Sequence, residues 1–244
     1  MSASAICEAA VSKLLKVASD KKKLGSDVKN ADELRQLCEG TLATLSQSKG
    51  AVEASSGDGA EASDAFAKAA AAVFVPFIVA LDTKATVLVE ESLDGLNELI
   101  AHGLLHDCAD PRDASKKLVE VLVAAVCGCG CMQDEKVQMY VVRVLQTAIL
   151  SEPNFIHGAA LLQSVRTCFN VHLGSGSQPN QSAAKAALSR IINAMINRME
   201  GLPPGNTKSA SLAISENGRY DCMFFCNLVP VFVHASVFVA AHIS

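Results

Sequence analysis

Residues 134–148 read Asp-Glu-Lys-Val-Gln-Met-Tyr-Val-Val-Arg-Val-Leu-Gln-Thr-Ala, and this stretch decides the class of the fold. Its apolar residues recur at intervals of three and four, as they do on the buried face of an α-helix. Asp134 stands at the start, where a short polar side chain accepts hydrogen bonds from the free amides of a first helical turn. The stretch therefore predicts a helix that is capped by Asp134 and buries one face.

The same spacing extends in both directions from this stretch. In an earlier segment, one face carries Ala31, Leu34, Cys38, Leu42 and Leu45. Further helices are predicted near the N-terminus, from about residue 64 across Pro76, over 87–103, from the turn at Asp110, over 156–173, and after a cap at Ser182.

These segments make residues 1–200 one helical domain. Successive amphipathic helices that have few aromatic residues and no strands between them pack more readily as stacked pairs than as a four-helix bundle. We therefore predict an all-α fold, an armadillo- or HEAT-like α-solenoid of about eight helices. Within it, residues 46–63 are rich in Ser, Gly and Ala and bury too little to offset their ordering entropy, so we expect a flexible loop there.

The character of the sequence changes at Gly201. Residues 201–206 contain two prolines and two glycines, and residues 222–244 contain no Asp, Glu, Lys or Arg. We interpret 201–244 as a linker and an irregular apolar C-terminal tail. Three interpretations of the tail stay open: a membrane anchor, an apolar segment packed on the domain, and a non-native end of the reading frame.

Composition narrows the class of protein. The 21 Lys and Arg against 25 Asp and Glu give a net charge of −4, so no overall basic field argues for a nucleic-acid partner. The nine Cys are odd in number and scattered, which favours reduced thiols over a disulfide framework. The N-terminus lacks the basic and apolar regions of a signal peptide, so we expect a cytoplasmic protein.

No local pattern predicts a catalytic, cofactor or metal site. Cys127, Cys129 and Cys131 alternate with Gly, whereas paired structural zinc ligands usually stand further apart, so a helix end explains them better. The pair His102 and His106 lacks the Glu of a zinc-protease helix. The run Lys21–Lys23 is expected to be a solvated turn, with contact to anionic lipid as the lesser alternative. We expect no enzyme activity, no cofactor and no metal.

Several stretches resemble the dimerisation and cyclophilin-binding (DCB) domain of the large brefeldin-type guanine nucleotide exchange factors for Arf GTPases, the Sec-seven family. The likeness covers roughly residues 65–200. It is carried by Phe74–Lys84, Ser92–Leu105, Val137–Ala148, Leu161–Asn170, the Asn-Gln and Ala-Lys-Ala signatures in Pro179–Leu188, and Arg198–Glu200.

The resemblance implies a non-catalytic protein-interaction module in Golgi vesicle traffic. The implied partners are a second copy of the domain, the neighbouring regulatory domain of an exchange factor, small GTPases and cyclophilin-type proteins, with no nucleic acid. The implied location is cytoplasmic and peripheral at Golgi or trans-Golgi membranes, with membrane contact either peripheral or through the tail. The alternative is a generic α-helical scaffold of membrane traffic that is anchored through residues 222–243.

The resemblance also marks residues with a partner-binding or structural role, namely Arg166, Asn170, Asn180, Gln181, Lys185 and Arg198. Asn180 and Gln181 precede Ser182, so they are expected to cap a helix and tie the loop before it. Lys185 then falls in the first helical turn, where the helix dipole disfavours a cation, and an acidic partner would rationalise it. Arg166 and Arg198 are planar donors suited to carboxylates.

Overall fold

The computed structural model describes residues 3–20, 31–54, 59–106, 108–151 and 156–200, with the backbone alone described for 48–54, 59–69 and 196–200. The expected linker and tail over 201–244 lie outside the described residues, as does the turn Lys21–Lys23.

Eight helices account for most of the described chain. They are α1 Ala3–Ser19, α2 Ala31–Ala54, α3 Gly59–Asp82, α4 Thr86–Ala101, α5 Leu118–Cys129, α6 Glu135–Leu150, α7 Gly158–Gly174 and α8 Gln178–Glu200. The predicted all-α class is confirmed, and Asp134 caps α6 by accepting hydrogen bonds from the amides of Lys136 and Val137. Among these described helices, none combines the length and the apolar character needed to cross a membrane.

The helices stack as four successive pairs in two layers. One layer places α1, α4, α6 and α8 side by side, and the other places α2, α3, α5 and α7 side by side. Each pair therefore makes its main contacts with the pairs next to it, as in a solenoid. The order of the two helices is reversed in the first pair. Its first helix, α1, contacts α4 and lies in the layer that holds the second helix of every later pair, while α2 contacts α3 in the other layer.

The core runs between the layers, and α3 and α4 approach each other closely where they cross. Phe74 and Phe77 of α3 are fully buried there, and Pro76 lies within the same helix. A Cβ atom on Gly95 of α4 would stand 2.7 Å from Cε1 of Phe77. Only glycine at position 95 lets the two helices approach this closely, because real Cβ contacts are longer.

Helix α4 ends at a glycine, as its sequence predicts. Gly103 has a φ of 70°, its amide donates to the carbonyl of Ile100, and the amide of Leu104 donates to that of Leu99. This pair of bonds satisfies the free carbonyls of a helix end and favours glycine at the left-handed position.

The prediction of a flexible loop over 46–63 is wrong for most of that range. Helix α2 continues to Ala54 and α3 begins at Gly59, so only 55–58 lie outside the described residues. The sequence of this range contains several Ala and Glu residues, which are strong helix formers, and their propensity outweighs the low apolar content.

The helix expected from Asp110 is also wrong at its start. Residues 109–117 form a small antiparallel hairpin, with β1 at Ala109–Asp110 and β2 at Asp113–Lys117, and the helix begins only at Leu118. The carboxylate of Asp110 accepts from the amide of Arg112, and that of Asp113 accepts from the amide of Ser115. Such local side-chain bonds compete with helix formation.

Candidate interaction surface

A polar junction joins the start of α6, the end of α7 and the start of α8. The hydroxyl of Ser175 donates to Oε1 of Gln138 at 2.7 Å, and Nε2 of Gln138 donates to the carbonyl of Met132 at 3.0 Å. Ser175 and Gln138 are both buried, so each would be costly to leave unpaired. The junction fixes the last two pairs of helices against each other.

Asn180 and Gln181 belong to this junction. Nδ2 of Asn180, a residue only 3% exposed, donates to the carbonyl of Glu135 at 2.8 Å, and Nε2 of Gln181 donates to the carbonyl of Ser175 at 2.7 Å. The carbonyl of Gln181 accepts from Nδ1 of His172 at 2.9 Å. Both side chains are thus engaged within the chain. Gln138 and His172 also belong to the junction, and no local sequence pattern indicates them.

The register of α8 differs from the expected one. The helix begins at Gln178, four residues before Ser182, so Ser182 is exposed within the helix and does not cap it. Lys185 consequently lies beyond the first turn, where the helix dipole has little effect on a cation. Dipole repulsion is therefore no reason to expect an acidic partner for Lys185.

The outer face of α7 carries the other expected residues. We call the set Leu162, Arg166, Phe169, Asn170 and Leu173 the α7 stripe, because these positions follow one another at helical spacing. Leu173 is 53% exposed, Arg166 and Asn170 are exposed, and Leu162 and Phe169 are half-buried against the core. Arg198 lies on α8 among the residues whose side chains are not described.

Apart from Glu200, the last residue of α8, the charged residues of the last pair of helices are all positive. From Pro153 to Met199 the sequence contains no Asp or Glu. Arg166, Lys185 and Arg190 are exposed, and among the described residues no side-chain hydrogen bond or ion pair engages any of them. The middle of the stack carries mainly negative charge. From Asp82 to Glu98 the sequence has one cation, Lys84, and five acidic residues, namely Asp82, Glu90, Glu91, Asp94 and Glu98.

The cysteine cluster at the end of α5 is part of the packing. Cys127 and Cys129 are buried and Cys131 is exposed, and burial raises the pKa of the Cys127 and Cys129 thiols. Nζ of Lys84 lies 3.4 Å from Sγ of Cys129 and moderates that rise. Within the described part of the chain, no three His, Cys, Asp or Glu side chains are grouped to hold a metal ion.

A stack of helical pairs is an α-solenoid architecture, whose extended side surfaces many proteins use to bind partners. The family model described as DCB, the Mon2/Sec7/BIG1-like dimerisation and cyclophilin-binding domain, matches residues 2–201. The chain belongs to this family.

Relatives of known name agree with this assignment. The chain is 41% identical over 130 residues to the brefeldin A-inhibited guanine nucleotide-exchange protein 1 of Rattus norvegicus and 40% identical over 130 residues to that of Homo sapiens. It is 37% identical over 129 residues to the brefeldin A-inhibited guanine nucleotide-exchange protein 2 of Arabidopsis thaliana. Each match covers 52% of this chain and 7% of the relative.

Proposed function

We propose that this chain is the dimerising and recruiting module of a large Arf guanine nucleotide exchange factor. The match of the DCB model to residues 2–201 carries the proposal. The solenoid supports it, because stacked helical pairs offer long side surfaces and open ends to partners. The partners proposed are a second copy, the regulatory domain of an exchange factor, a small GTPase and a cyclophilin-type protein.

The proposed place of action is the cytoplasmic side of Golgi or trans-Golgi membranes, where the module holds an exchange factor peripherally. We propose no nucleotide exchange by this chain itself, since none of its stretches resembles the exchange domain of the family. A fluorescent-nucleotide release assay with an Arf GTPase tests this point. Release well above the spontaneous rate would contradict it.

Light scattering of the full chain tests self-association. At tens of micromolar, a range suited to weak interfaces, we expect a mass of about twice 25.5 kDa. A mass of one chain throughout that range would rule out a homodimer formed through this module.

The tail-anchored scaffold is the second candidate function, and the uncharged stretch 222–244 favours it. Vesicle flotation separates the two candidates. Flotation that resists high salt and alkaline carbonate would indicate an anchored tail, whereas salt-sensitive flotation would indicate peripheral contact.

A further inference from the structure

We propose that Lys84 and Cys129 form an oxidative cross-linking site, at which a peroxide joins the Lys84 amine to the Cys129 sulfur through a covalent N–S bond. The bond ties the turn between α3 and α4 to the last residue of α5. The proposal is independent of the proposed function, because it assigns chemistry to two residues on which that function does not depend.

The two reacting groups are in contact although they are far apart in the chain. Nζ of Lys84 lies 3.4 Å from Sγ of Cys129, a residue 45 positions further on. The Cys129 thiol also donates to the carbonyl of Leu81 at 3.7 Å, and the same carbonyl accepts the amide of Lys84 at 3.3 Å. Leu81 therefore holds both residues, and prior orientation of two reactants speeds their reaction.

The backbone of Lys84 is held in an uncommon conformation. Its φ is 56°, and within the described ranges it is the one residue other than glycine with a positive φ. The turn is fixed by Thr83, whose amide donates to the carbonyl of Ala80 and whose hydroxyl accepts from the amide of Ala85. The lysine side chain therefore leaves the turn from a fixed backbone position.

The site lies close to solvent. Cys129 is fully buried, but Lys84 and Gly128 are exposed. A Cβ atom on Gly128 would stand 3.3 Å from Nζ of Lys84, so the amine lies over exposed backbone next to Cys129. Burial raises the pKa of the Cys129 thiol and Lys84 opposes that rise, so we expect slow oxidation that needs an excess of peroxide.

The reaction has two steps. In the first, the Cys129 sulfur attacks one oxygen of hydrogen peroxide, the O–O bond breaks, and a sulfenic acid and water form. In the second, the electron pair of the unprotonated Lys84 amine attacks this sulfur and the S–O bond breaks. The hydroxide that leaves takes a proton from the nitrogen and becomes water. Sulfur is oxidised by two electrons, the peroxide is reduced to two waters, and the chain loses two hydrogen atoms.

A nearby thiol competes with the amine for the sulfenic acid. Cys131 is exposed and lies two residues after Cys129, so a disulfide is the alternative product. Its thiol donates to the carbonyl of Gly128 at 3.4 Å, whereas the Lys84 amine is already in contact with the Cys129 sulfur. The geometry therefore favours the amine.

The test treats the full chain with excess hydrogen peroxide in mildly alkaline buffer, because only an unprotonated amine has a free electron pair. Remaining thiols are blocked with iodoacetamide, and trypsin digestion without reductant is followed by mass spectrometry. We expect residues 118–136 linked to residues 69–112, with Lys84 uncut and a mass two hydrogen atoms below the sum of the two peptides. Dithiothreitol should break the link, because its thiolate attacks the sulfur.

Variants locate the bond. Lys84→Arg keeps the positive charge but removes the primary amine, so it should abolish the linked peptide. Lys16→Arg, the same change on the exposed face of α1, should retain it, and so should Cys131→Ser. Circular dichroism of each variant verifies folding.

Thermal unfolding gives a second measurement. Peroxide should raise the melting temperature of the parent by about 4–10 °C, since the link closes a long loop, and dithiothreitol should reverse the rise. Lys84→Arg treated in the same way should show no rise.

Three results would overturn the proposal. They are no linked peptide in the parent, an equal amount of it in Lys84→Arg, or disulfides of Cys131 or Cys108 as the sole products with trypsin still cutting after Lys84. The mass of the untreated chain by light scattering is measured separately. A dimer without the cross-link would leave the proposed function standing.

Discussion

The ring of Phe77 occupies the space that a side chain at Gly95 would need, since a Cβ there would stand 2.7 Å from Cε1 of the ring. The ring is fully buried, so it cannot swing into solvent to make room. The spacing of α3 and α4 thus depends on a missing methyl group.

Gly95→Ala should destabilise the protein by about 1–3 kcal/mol, because overpacking outweighs the helix-propensity gain of about 1 kcal/mol. Urea unfolding measures the free energy. The matched control is Gly40→Ala in α2, where a Cβ would meet nothing within 4 Å and stability should rise. Equal stabilisation by both substitutions would show that α3 and α4 adjust freely.

Asn180→Ala should cost about 0.5–1.5 kcal/mol, because it removes a buried hydrogen bond from Asn180 to the carbonyl of Glu135, which keeps only its partner within the helix. Asn170→Ala, on the exposed face of α7, should change stability by less than about 0.5 kcal/mol. Thermal unfolding of the two variants compares them. Similar melting temperatures would mean that water replaces the lost bond.

Ser92→Ala should leave stability unchanged or raise it by up to about 1 kcal/mol. Oγ of Ser92 is buried and has no hydrogen-bond partner among the described residues, so its removal relieves a desolvated hydroxyl and adds a better helix former. Ser164→Ala is the contrasting change, because Oγ of Ser164 donates to the carbonyl of Ala160 at 2.8 Å. Chemical denaturation should show that the two substitutions change the free energy of unfolding with opposite signs, or by clearly different amounts.

Asp110 should make stability depend on pH in the acid range. Burial raises the pKa of its carboxyl, but hydrogen bonds from the Arg112 side chain and amide outweigh this and hold the pKa below its usual value. The pKa of Asp110 is therefore lower in the folded chain than its unfolded value of about 3.9, so the ionised carboxyl stabilises the fold at neutral pH. This stabilisation is lost as the pH falls through the folded pKa.

The comparison of parent and Asp110→Asn by urea unfolding between pH 3 and pH 7 measures this contribution. The stability difference should be largest at neutral pH and shrink below about pH 4. A difference that stays constant over the whole range would mean that Asp110 acts through packing alone.

Thiol reactivity should separate the exposed cysteine from the buried ones. Cys131 is exposed, whereas burial raises the pKa of Cys7 to about 11 and the pKa values of Cys38 and Cys168 to about 12. Timed alkylation with iodoacetamide at pH 7.5, read by peptide mass spectrometry, should label Cys131 before the other cysteines that the structure describes. Equally fast labelling of Cys168 would reveal local opening of α7.

The features predictable from the sequence are the local ones. Asp134 and the residues it caps are neighbours in the chain, and the apolar faces of the helices follow from spacing alone. The bond from Asn180 to Glu135 joins positions 45 residues apart, and no local pattern indicates such a contact. The hairpin at 109–117 is also a local feature, because Asp110 and Asp113 each bond an amide two residues further on. The helical spacing of the apolar residues that follow favoured a helix there instead.

The reversed first pair has a consequence for synthesis on the ribosome. Helix α1 ends at Ser19 and packs on α2, which follows it, but its other neighbour, α4, begins only at Thr86, so the part of α1 that contacts α4 leaves the exit tunnel long before that helix exists. A nascent chain keeps this part of α1 uncovered until α4 emerges. The N-terminal pair of this protein is therefore a natural client for chaperones during translation, whereas each later pair finds the preceding one already in place.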